Sequence, residues 1–449
     1  MSTPPPAPVL PGKGLGLIPL GASLHHVLSV VTEHSSLFTS ISTVYDPGDA
    51  CVTVPILIIL DNNGIRLRFD GPDQRLRLIE ILDFAKCRPT YQSGELTSAR
   101  QANPSFKNIY KLFGPTTAGE YMSGESLYIL NYPGVSFTFA VDNWRDDVDF
   151  ASQLASGSAT SMAIFSGNSW AEVRDDLFTR SVTAPRFPAN TAAAARSSSA
   201  NDEIELVTIR GEGTVIELTR RYNPPLIITL NSTTPQDLIT ELGPPASIYR
   251  KSDHRLNIHR ALGGSSGDES DPDDRASEDD DDAADPTAAE HGECFFNYFQ
   301  HGFDILVSSQ RSARRPVVTK MIIHGNVPGS YEFQRYRRCR WVVDLPEKSP
   351  TVGSTTGAAA LRIDSEENFT SVREKLKERF GEAGKPMPYS RGNDSPSSSV
   401  EFLGGWEDGE GGAREKTEGV TFGNTELYGF PGMVFEVLKN GTVTCLAAF

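Results

Sequence analysis

Cysteine is scarce in this sequence, and its placement argues against two kinds of site. The chain of 449 residues has five cysteines, and no two of them form a CxxC pair. An odd count with long gaps does not match a disulfide framework or a zinc site. We therefore expect buried free thiols in a reducing compartment. The positions are Cys51, Cys87, Cys294, Cys339 and Cys445.

The sequence also lacks a long apolar run. The longest one, from Val52 to Leu60, is too short to cross a bilayer. The first residues are rich in proline and carry neither a basic start nor an apolar core, so we do not expect a signal peptide. These observations predict a soluble, cytoplasmic protein whose membrane contacts are peripheral.

Motifs of known catalytic centres are missing. Eight histidines are present, but none has the HExxH spacing of a zinc hydrolase, and there is no GxSxG or Walker motif. Gly12, Gly14 and Gly16 do not follow a predicted strand, so they fail the context test for a dinucleotide loop. We therefore predict that the protein is not an enzyme and has no catalytic residues, metal or cofactor.

Negative charge is in excess, but one segment holds most of it. The net charge is -16, and residues 264–291 contribute -11 through twelve acids and one base, Arg275. The remaining chain carries only -5. The excess of acids argues against general nucleic-acid binding, because contact with phosphates requires clustered basic residues. We expect no nucleic-acid partner, and we expect residues 261–291 to form a disordered acidic loop.

Helical and strand-like patterns recur four times along the chain. Each repeat begins with a short amphipathic helix and continues into three apolar strands separated by glycine turns. In the second repeat, Asn103-Pro104 starts the helix and Gly114-Pro115 ends it. The pattern predicts an α+β fold of four repeated helix-plus-three-stranded antiparallel sheet units packed sheet to sheet, with extra strands between units two and three.

The repeats divide the chain into consecutive segments. Residues 1–14 are a disordered Pro-rich arm, 15–95 are unit one, 96–180 are unit two, and 181–230 hold a loop and the inserted strands. Unit three covers 231–345 with its acidic loop, and unit four covers 346–449 with a second disordered loop at 390–420.

One cluster of residues is a candidate binding site. Arginines alternate there with aromatic residues, a composition found in interaction hot spots and in sites for phosphate or anionic lipid. On a strand, Arg338 and Arg340 would share one face with Tyr336. The alternative is a solvated strand face that shields the acidic loop. The candidates are Tyr331, Arg335, Tyr336, Arg337, Arg338, Arg340 and Trp341.

Short segments spread along the chain carry a family resemblance. They include Gly64-Ile65-Arg66-Leu67, Phe165-Ser166-Gly167-Asn168-Ser169, Tyr249-Arg250-Lys251-Ser252, Phe295-Phe296-Asn297-Tyr298-Phe299 and Met433-Val434-Phe435-Glu436-Val437. In this order they resemble the phagosome assembly factor family, from about Gly16 to the last residue. The resemblance breaks at residues 181–202, 264–291 and 404–420, which look like insertions.

The resemblance implies a role for the protein. It implies a cytosolic, non-enzymatic adaptor or scaffold in autophagy that is recruited to the phagophore assembly site. It also implies a partner, a phosphoinositide-binding β-propeller protein of the breast-carcinoma-amplified-sequence type, and no catalytic residues. Two alternatives stay open: direct binding of an anion or phosphoinositide headgroup through residues 335–341, and an enzyme of unrecognised type.

Overall fold

The computed structural model describes residues 5–46, 48, 51–97, 101–180, 182, 184–185, 202–250, 293–308, 315–347, 360–382, 384–390 and 424–449. The predicted acidic loop 261–291 lies outside these residues, as does nearly all of the predicted loop 390–420. The described part contains six α-helices and four β-sheets. None of these helices is both long and apolar enough to cross a membrane.

Residues 5–180 form the first half of the molecule. Its helices are α1 (Leu24–Glu33), α2 (Phe106–Phe113), α3 (Phe150–Leu154) and α4 (Trp170–Val173). Its strands are β1 (Pro6–Leu10), β2 (Gly14–Leu15), β3 (Ile18–Pro19), β4 (Ser42–Val44), β5 (Ile56–Leu60), β6 (Ile65–Phe69), β7 (Leu76–Ile81), β8 (Arg88–Tyr91), β9 (Gly94–Glu95), β10 (Glu120–Met122), β11 (Leu127–Tyr132), β12 (Val135–Ala140) and β13 (Ala159–Phe165).

Residues 202–449 form the second half. Its helices are α5 (Pro235–Leu242) and α6 (Phe369–Phe380). Its strands are β14 (Ile204–Arg210), β15 (Val215–Arg220), β16 (Leu226–Thr229), β17 (Ser247–Arg250), β18 (Cys294–Tyr298), β19 (Phe303–Ser308), β20 (Val317–His324), β21 (Trp341–Leu345), β22 (Leu361–Asp364), β23 (Met387–Ser390), β24 (Asn424–Phe430), β25 (Met433–Leu438) and β26 (Val443–Ala448).

The two halves have the same sheet topology. In the first half the strand orders are β3-β2-β1-β8-β9 and β10-β11-β12-β13-β7-β6-β5-β4. In the second half the strand orders are β16-β15-β14-β21-β22 and β23-β24-β25-β26-β20-β19-β18-β17. Each strand number is thirteen higher than that of its counterpart in the first half. The parallel pairs β1·β8 and β14·β21 are also equivalent. The fold is therefore a duplication of one large unit, and each large unit contains two smaller repeats.

The α+β fold with repeated units is confirmed. Each repeat contributes four strands to its eight-stranded sheet rather than three, because a short outer strand precedes the three predicted ones. Two repeats join edge to edge, through β7·β13 in one half and β20·β26 in the other, rather than sheet to sheet. The inserted strands β14, β15 and β16 are the counterparts of β1, β2 and β3, so they belong to the repeated plan.

The start of the chain differs from the prediction of a disordered arm over residues 1–14. Residues 6–10 form β1, which pairs in parallel with β8 and antiparallel with β2. Proline removes one N–H donor, but its carbonyl still accepts, and the Gly16 N–H donates to the Pro8 carbonyl at 2.8 Å. The side chain of Val9 is buried in the core, which anchors the strand.

Each half has one main hydrophobic core. In the first half it joins α1 and α2 to both sheets, and in the second half it joins α5 and α6 to both sheets. On α1 the buried residues Leu24, Val27, Leu28 and Val31 recur at helical spacing, so a single face of the helix is apolar. Burying a side chain of this size contributes about 1.5–3 kcal/mol, which makes these faces the main source of helix stability.

A glycine contact links the two sheets of each half at equivalent turns. Gly12 (φ +69°) donates to the Gly134 carbonyl (φ +78°) at 3.1 Å. The counterparts are Gly213 (φ +92°) and Gly432 (φ +72°). A Cβ on Gly432 would lie 1.8 Å from the Glu212 carbonyl oxygen, so only glycine fits this approach. The repeated contact is further support for the duplication.

Candidate binding site at the junction of the two halves

The junction is formed by the turn between β6 and β7 and by the connection between β20 and β21. Gln74 and Asn326 exchange two hydrogen bonds: Gln74 Nε2 donates to the Asn326 carbonyl at 2.8 Å, and Asn326 Nδ2 donates to Gln74 Oε1 at 2.6 Å. Both side chains are buried. Arg338 Nε donates to the Pro72 carbonyl at 2.5 Å. These bonds fix the long second-half connection against the first half.

A buried ion pair crosses the same junction. Arg75, at the end of the β6–β7 turn, donates to both oxygens of Glu203 at 3.0 and 2.8 Å, and its Nη1 also donates to the Gly21 carbonyl. Burial alone would raise the pKa of Glu203, but the positive charges of Arg337 and Arg75 outweigh it and lower the pKa below its usual value. Glu203 is therefore a carboxylate held between two arginines.

The predicted arginine and aromatic cluster does not lie on a strand. Residues 331–335 form turns, residues 337–340 have no regular structure, and β21 begins only at Trp341. Gln334 has a positive φ of 74°, and its N–H donates to Asn326 Oδ1 at 2.7 Å. This junction contact fixes the turn. The expected alternation of faces along a strand is therefore absent, and so is the solvated strand face that was its alternative.

Two of the predicted site residues lie in the interior. Tyr336 is 2% exposed, and its hydroxyl donates to Asp304 Oδ2 at 2.7 Å. Trp341 is 1% exposed and packs edge-on against Phe435 with ring centres 5.9 Å apart. Both residues support the second-half core, so neither presents its ring at the surface.

Two further candidates, Arg335 and Tyr331, are partly exposed. The Arg335 guanidinium stands over the rings of Phe299 and Tyr336, at 5.2 and 5.6 Å from their centres. It also lies 3.6 Å from a carboxylate oxygen of Glu332. Tyr331 is half-buried in the preceding turn. Arg335 is thus held by aromatic contacts on its own side of the connection.

The other three predicted arginines come together. Arg337, Arg338 and Arg340 line a cavity of about 260 Å³ at the junction. Arg75 and Arg221, which sequence reasoning missed, complete its basic lining. The remaining lining residues are Asp73, Glu205 and Val182. Five arginines thus face two carboxylates and one aliphatic side chain, in a cavity that we call the junction cavity.

Arg337 is buried and donates one hydrogen bond to a described residue. It is 7% exposed, and its Nη1 donates to the Ile204 carbonyl at 2.9 Å. No carboxylate of a described residue lies within ion-pair distance of it. A guanidinium has five N–H donors, so four of them have no partner among the described residues. Burial lowers the pKa of Arg337 because the charged form loses hydration.

The other arginines of the junction cavity are fixed by specific contacts. Arg338 is buried and donates to the carbonyls of Pro72 and Gly325 at 2.5 and 2.6 Å. Arg340 donates to Glu366 at 2.8 Å and to Asp73 at 3.3 Å, with 45% of its side chain exposed. These contacts hold the guanidinium groups in place before any ligand enters, which lowers the entropic cost of binding.

A second cavity, also of about 260 Å³, lies next to β13 in the first half. Arg77 lines it, but this side chain donates to Asp70 and to the Arg180 carbonyl, each at 2.5 Å. The adjacent segment starts at Ser166, which lines this cavity. Its Ser169 hydroxyl accepts from the Glu172 N–H at 3.3 Å, so the segment caps helix α4.

A buried Cys–His–Asp arrangement was not predictable from spacing, because its members lie on β26, β20 and β19. Cys445 Sγ is 3.2 Å from His324 Nδ1, and His324 Nε2 is 2.9 Å from Asp304 Oδ2. The His324 ring stacks on Tyr336 at 3.8 Å between centres. Sheet pairing of β20 with β26 and with β19 brings these residues together.

This arrangement has the partners of a cysteine nucleophile but lacks access. All three side chains are buried, and none of them lines either cavity described above. Burial alone would lower the pKa of His324, but the neighbouring Cys445 sulfur and Asp304 carboxylate outweigh it and raise the pKa. Because none of the three side chains reaches a described cavity, the group is an internal polar network.

Other features of reactive or metal-binding sites are also missing from the described residues. No group of three His, Cys, Asp or Glu side chains in the described ranges is arranged to hold a metal ion. The five cysteines are all described and all free; Cys294 is partly exposed and the others are buried. The junction cavity is therefore the strongest candidate site for a ligand in the described part of the chain.

The chain matches a known protein family along most of its length. The model of the family described as phagosome assembly factor 1 matches residues 14–449, which include both halves and the junction. The chain belongs to this family. Membership gives the protein a role in autophagy or phagosome assembly.

Relatives from a plant, an insect and a nematode match both halves. The PHAF1 protein of Arabidopsis thaliana is 25% identical over 449 residues, which cover 98% of this chain and 92% of the relative. The PHAF1 protein of Drosophila melanogaster is 23% identical over 96% of this chain and 90% of its own length. That of Caenorhabditis elegans is 25% identical over the same shares. No solved structure matches the chain significantly.

Proposed function

We propose that the protein is a non-enzymatic adaptor or scaffold in autophagy. It works in the cytoplasm and is recruited to the phagophore by a phosphoinositide-binding β-propeller protein. The observation that carries this proposal is the family match across residues 14–449, which takes in all four repeats. A phagosome assembly factor with duplicated sheets offers several surfaces for partners, as a scaffold requires.

The non-enzymatic part of the proposal rests on the character of the described sites. The three side chains of the Cys–His–Asp arrangement are buried and line neither described cavity. The junction cavity has binding groups in quantity, since arginines make up most of its lining, but no nucleophile is paired there with a base. Such a lining favours recognition of a charged group over its chemical conversion.

The exposed edge of the second-half sheet is the surface we assign to the propeller partner. All four residues of β17 are exposed, with Ile248 at 53% and Tyr249 at 42%. An outer strand with apolar side chains can accept a further strand from a partner. The equivalent edge strand of the first half, β4, is shorter and carries one large exposed apolar residue, Val44.

Affinity purification from cells under mild conditions, followed by mass spectrometry, tests this function. We expect a β-propeller protein to be recovered with the full chain. Ile248→Lys should reduce its recovery several-fold, since a buried charge at the centre of an interface is unfavourable. Val44→Lys on the first-half edge is the matched control and should leave recovery unchanged.

Two outcomes would count against the proposal. Failure to recover any β-propeller protein with the wild-type chain would contradict the adaptor function itself. Equal loss with both lysine variants, or no loss with either, would contradict the assignment of the partner to β17.

A further inference from the structure

We propose that the junction cavity binds a phosphorylated polyol, the chemistry shared by free inositol phosphates and phosphoinositide headgroups. The inference goes beyond the proposed adaptor function and does not need the propeller partner. It rests on the charge, the unused donors and the size of the cavity.

The charge around the cavity favours an anion. Among its lining residues, five arginines stand against Asp73 and Glu205. The nearby carboxylates Glu203 and Glu366 are already engaged, by Arg75 and Arg340 respectively. Counting these two acids as well still leaves one positive charge in excess. The charge of Glu203 acts on Arg337, but no carboxylate of a described residue lies within ion-pair distance of this arginine.

The unused donors suit phosphate in particular. Planar guanidinium groups bind phosphate with two parallel hydrogen bonds, and several of them together hold a doubly charged group. Arg221 lies 3.8 Å from carboxylate oxygens of both Glu203 and Glu205, which is beyond hydrogen-bond distance. Arg221 and Arg337 therefore keep donors that a phosphate oxygen can accept. Arg337 is buried near Glu203 but has no direct hydrogen bond to that carboxylate, so its guanidinium keeps donors for a phosphate oxygen.

The size and the lining identify the class of ligand. A volume of 260 Å³ is several times the share of one water, about 30 Å³, so the cavity has room for more than one inorganic phosphate. No aromatic ring of a described residue lines it, so a nucleobase would find no described ring on which to stack. Among the described lining residues Val182 is the one aliphatic side chain, so an acyl chain would find little apolar contact there. A hydroxyl-bearing ring with phosphates meets all three conditions.

Calorimetric titration of the full chain with inositol hexakisphosphate tests the site directly. We expect Arg221→Gln and Arg340→Gln each to weaken binding about tenfold, since each removes a charged hydrogen-bond donor. Arg362→Gln is the matched control: this arginine is exposed on β22, pairs with Asp364 and lies outside the cavity lining. It should leave the affinity unchanged. Orthophosphate should bind more weakly than the polyphosphate.

A flotation assay separates the two sources of the ligand. Phosphatidylcholine vesicles with and without a phosphatidylinositol bisphosphate are mixed with the wild-type chain and with both cavity variants. Flotation that depends on the phosphoinositide and is lost in the variants assigns the site to a headgroup. Binding of the free polyphosphate without flotation assigns it to a soluble ligand. Either result supports the site.

Other outcomes would overturn the inference. One is that inositol hexakisphosphate at millimolar concentration gives no heat of binding. The other is that the wild type, Arg221→Gln and Arg340→Gln bind it with equal affinity. Unfolding curves of each variant must match the wild type, and Arg337→Met serves as a further variant if either glutamine variant is unstable. Recovery of the propeller partner by the cavity variants keeps this test separate from that of the adaptor function.

Discussion

The two halves of the molecule share one topology, but they differ in the connection that leads into the parallel strand. In the first half, six residues (82–87) join β7 to β8. In the second half, sixteen residues (325–340) join β20 to β21. The longer connection carries the arginines that face the first half. Duplication therefore explains the architecture, whereas this difference in one connection explains the candidate site.

The same comparison shows why the site belongs to neither half alone. The first half supplies Arg75 and Asp73 from its β6–β7 turn, and the second half supplies Arg221, Arg337 and Arg340. The reciprocal amide pair of Gln74 and Asn326 lies in the same contact. A ligand in the cavity would consequently link the halves and stabilise their contact.

The largest effect is expected where both halves use the same glycine contact. Gly134→Ala and Gly432→Ala each place a Cβ against backbone atoms, at 2.1 and 1.8 Å, on residues with positive φ. We expect each substitution to lower the free energy of unfolding by about 3 kcal/mol. Urea unfolding measures it. Gly429→Ala, at a position with nothing within 4 Å, is the control and should change little.

A smaller effect is expected at the junction itself. A double-mutant cycle of Gln74→Ala and Asn326→Ala should give a coupling free energy of about 1–2 kcal/mol, because each side chain donates to the other residue. Both residues have positive φ, and the cycle cancels the cost of alanine in that conformation. Additive single effects would show that the halves do not interact through this pair.

The two halves should also differ in their response to acid. The turn glycines Gly64 and Gly302 are equivalent, and they are preceded by Asn63 in one half and by His301 in the other. His301 is buried without a hydrogen-bond partner among the described residues, and burial lowers its pKa to about 3. The unfolded chain thus binds the proton near pH 6.5, whereas the folded chain does not.

Stability should therefore fall as the pH drops below 6.5, the ordinary pKa of a histidine in an unfolded chain. The loss from His301 is on the order of 2 kcal/mol at about pH 5, because each pKa unit corresponds to about 1.4 kcal/mol. His301→Phe should remove this part of the slope, measured as the urea midpoint at about pH 7.5 and about pH 5. His25, whose pKa burial lowers to about 4, should contribute a slope of similar size over this range, and this part should remain in the variant. An unchanged slope in the variant would contradict the assignment.

The smallest effects are expected at equivalent helix caps. Ser23 accepts from the His26 N–H at the start of α1, and Thr234 accepts from the Asp237 N–H at the start of α5. Ser23→Ala and Thr234→Ala should each cost about 1 kcal/mol in the free energy of unfolding. Thr234→Ala should cost somewhat more, since it also loses the reciprocal bond from its hydroxyl to Asp237. Equal unfolding curves for wild type and variants would show that these caps contribute nothing.

The parts of the fold that depend on local sequence were predictable. Thr234 and Asp237 have the spacing of a capping box and form one at the start of α5, and Asn440-Gly441 forms the turn between β25 and β26. Helix α6 begins at Phe369 because Asn368 accepts from the Thr370 N–H, although Ser371 is also a residue type that favours helix caps. Such shifts of a few residues are normal where two capping residues compete.

The candidate site was only partly predictable, because its geometry depends on distant pairs. Arginine content pointed to a segment that lines the junction cavity, but alternation on a strand was the wrong geometry for it. Arg338 finds its partner at Pro72, and Arg75 finds Glu203, across gaps that no local pattern reveals. The duplication is easier to recognise in the sequence than the site, because Tyr132-Pro133-Gly134 and Phe430-Pro431-Gly432 mark the same turn in both halves.

A crystal structure of the full chain with inositol hexakisphosphate would test the central claim most directly. Our account predicts phosphate groups in the junction cavity, within hydrogen-bond distance of Arg337 and Arg221, with Arg75 of the first half on the other side. An empty cavity, with the ligand bound elsewhere or not at all, would contradict the claim that the junction of the two halves is a built site.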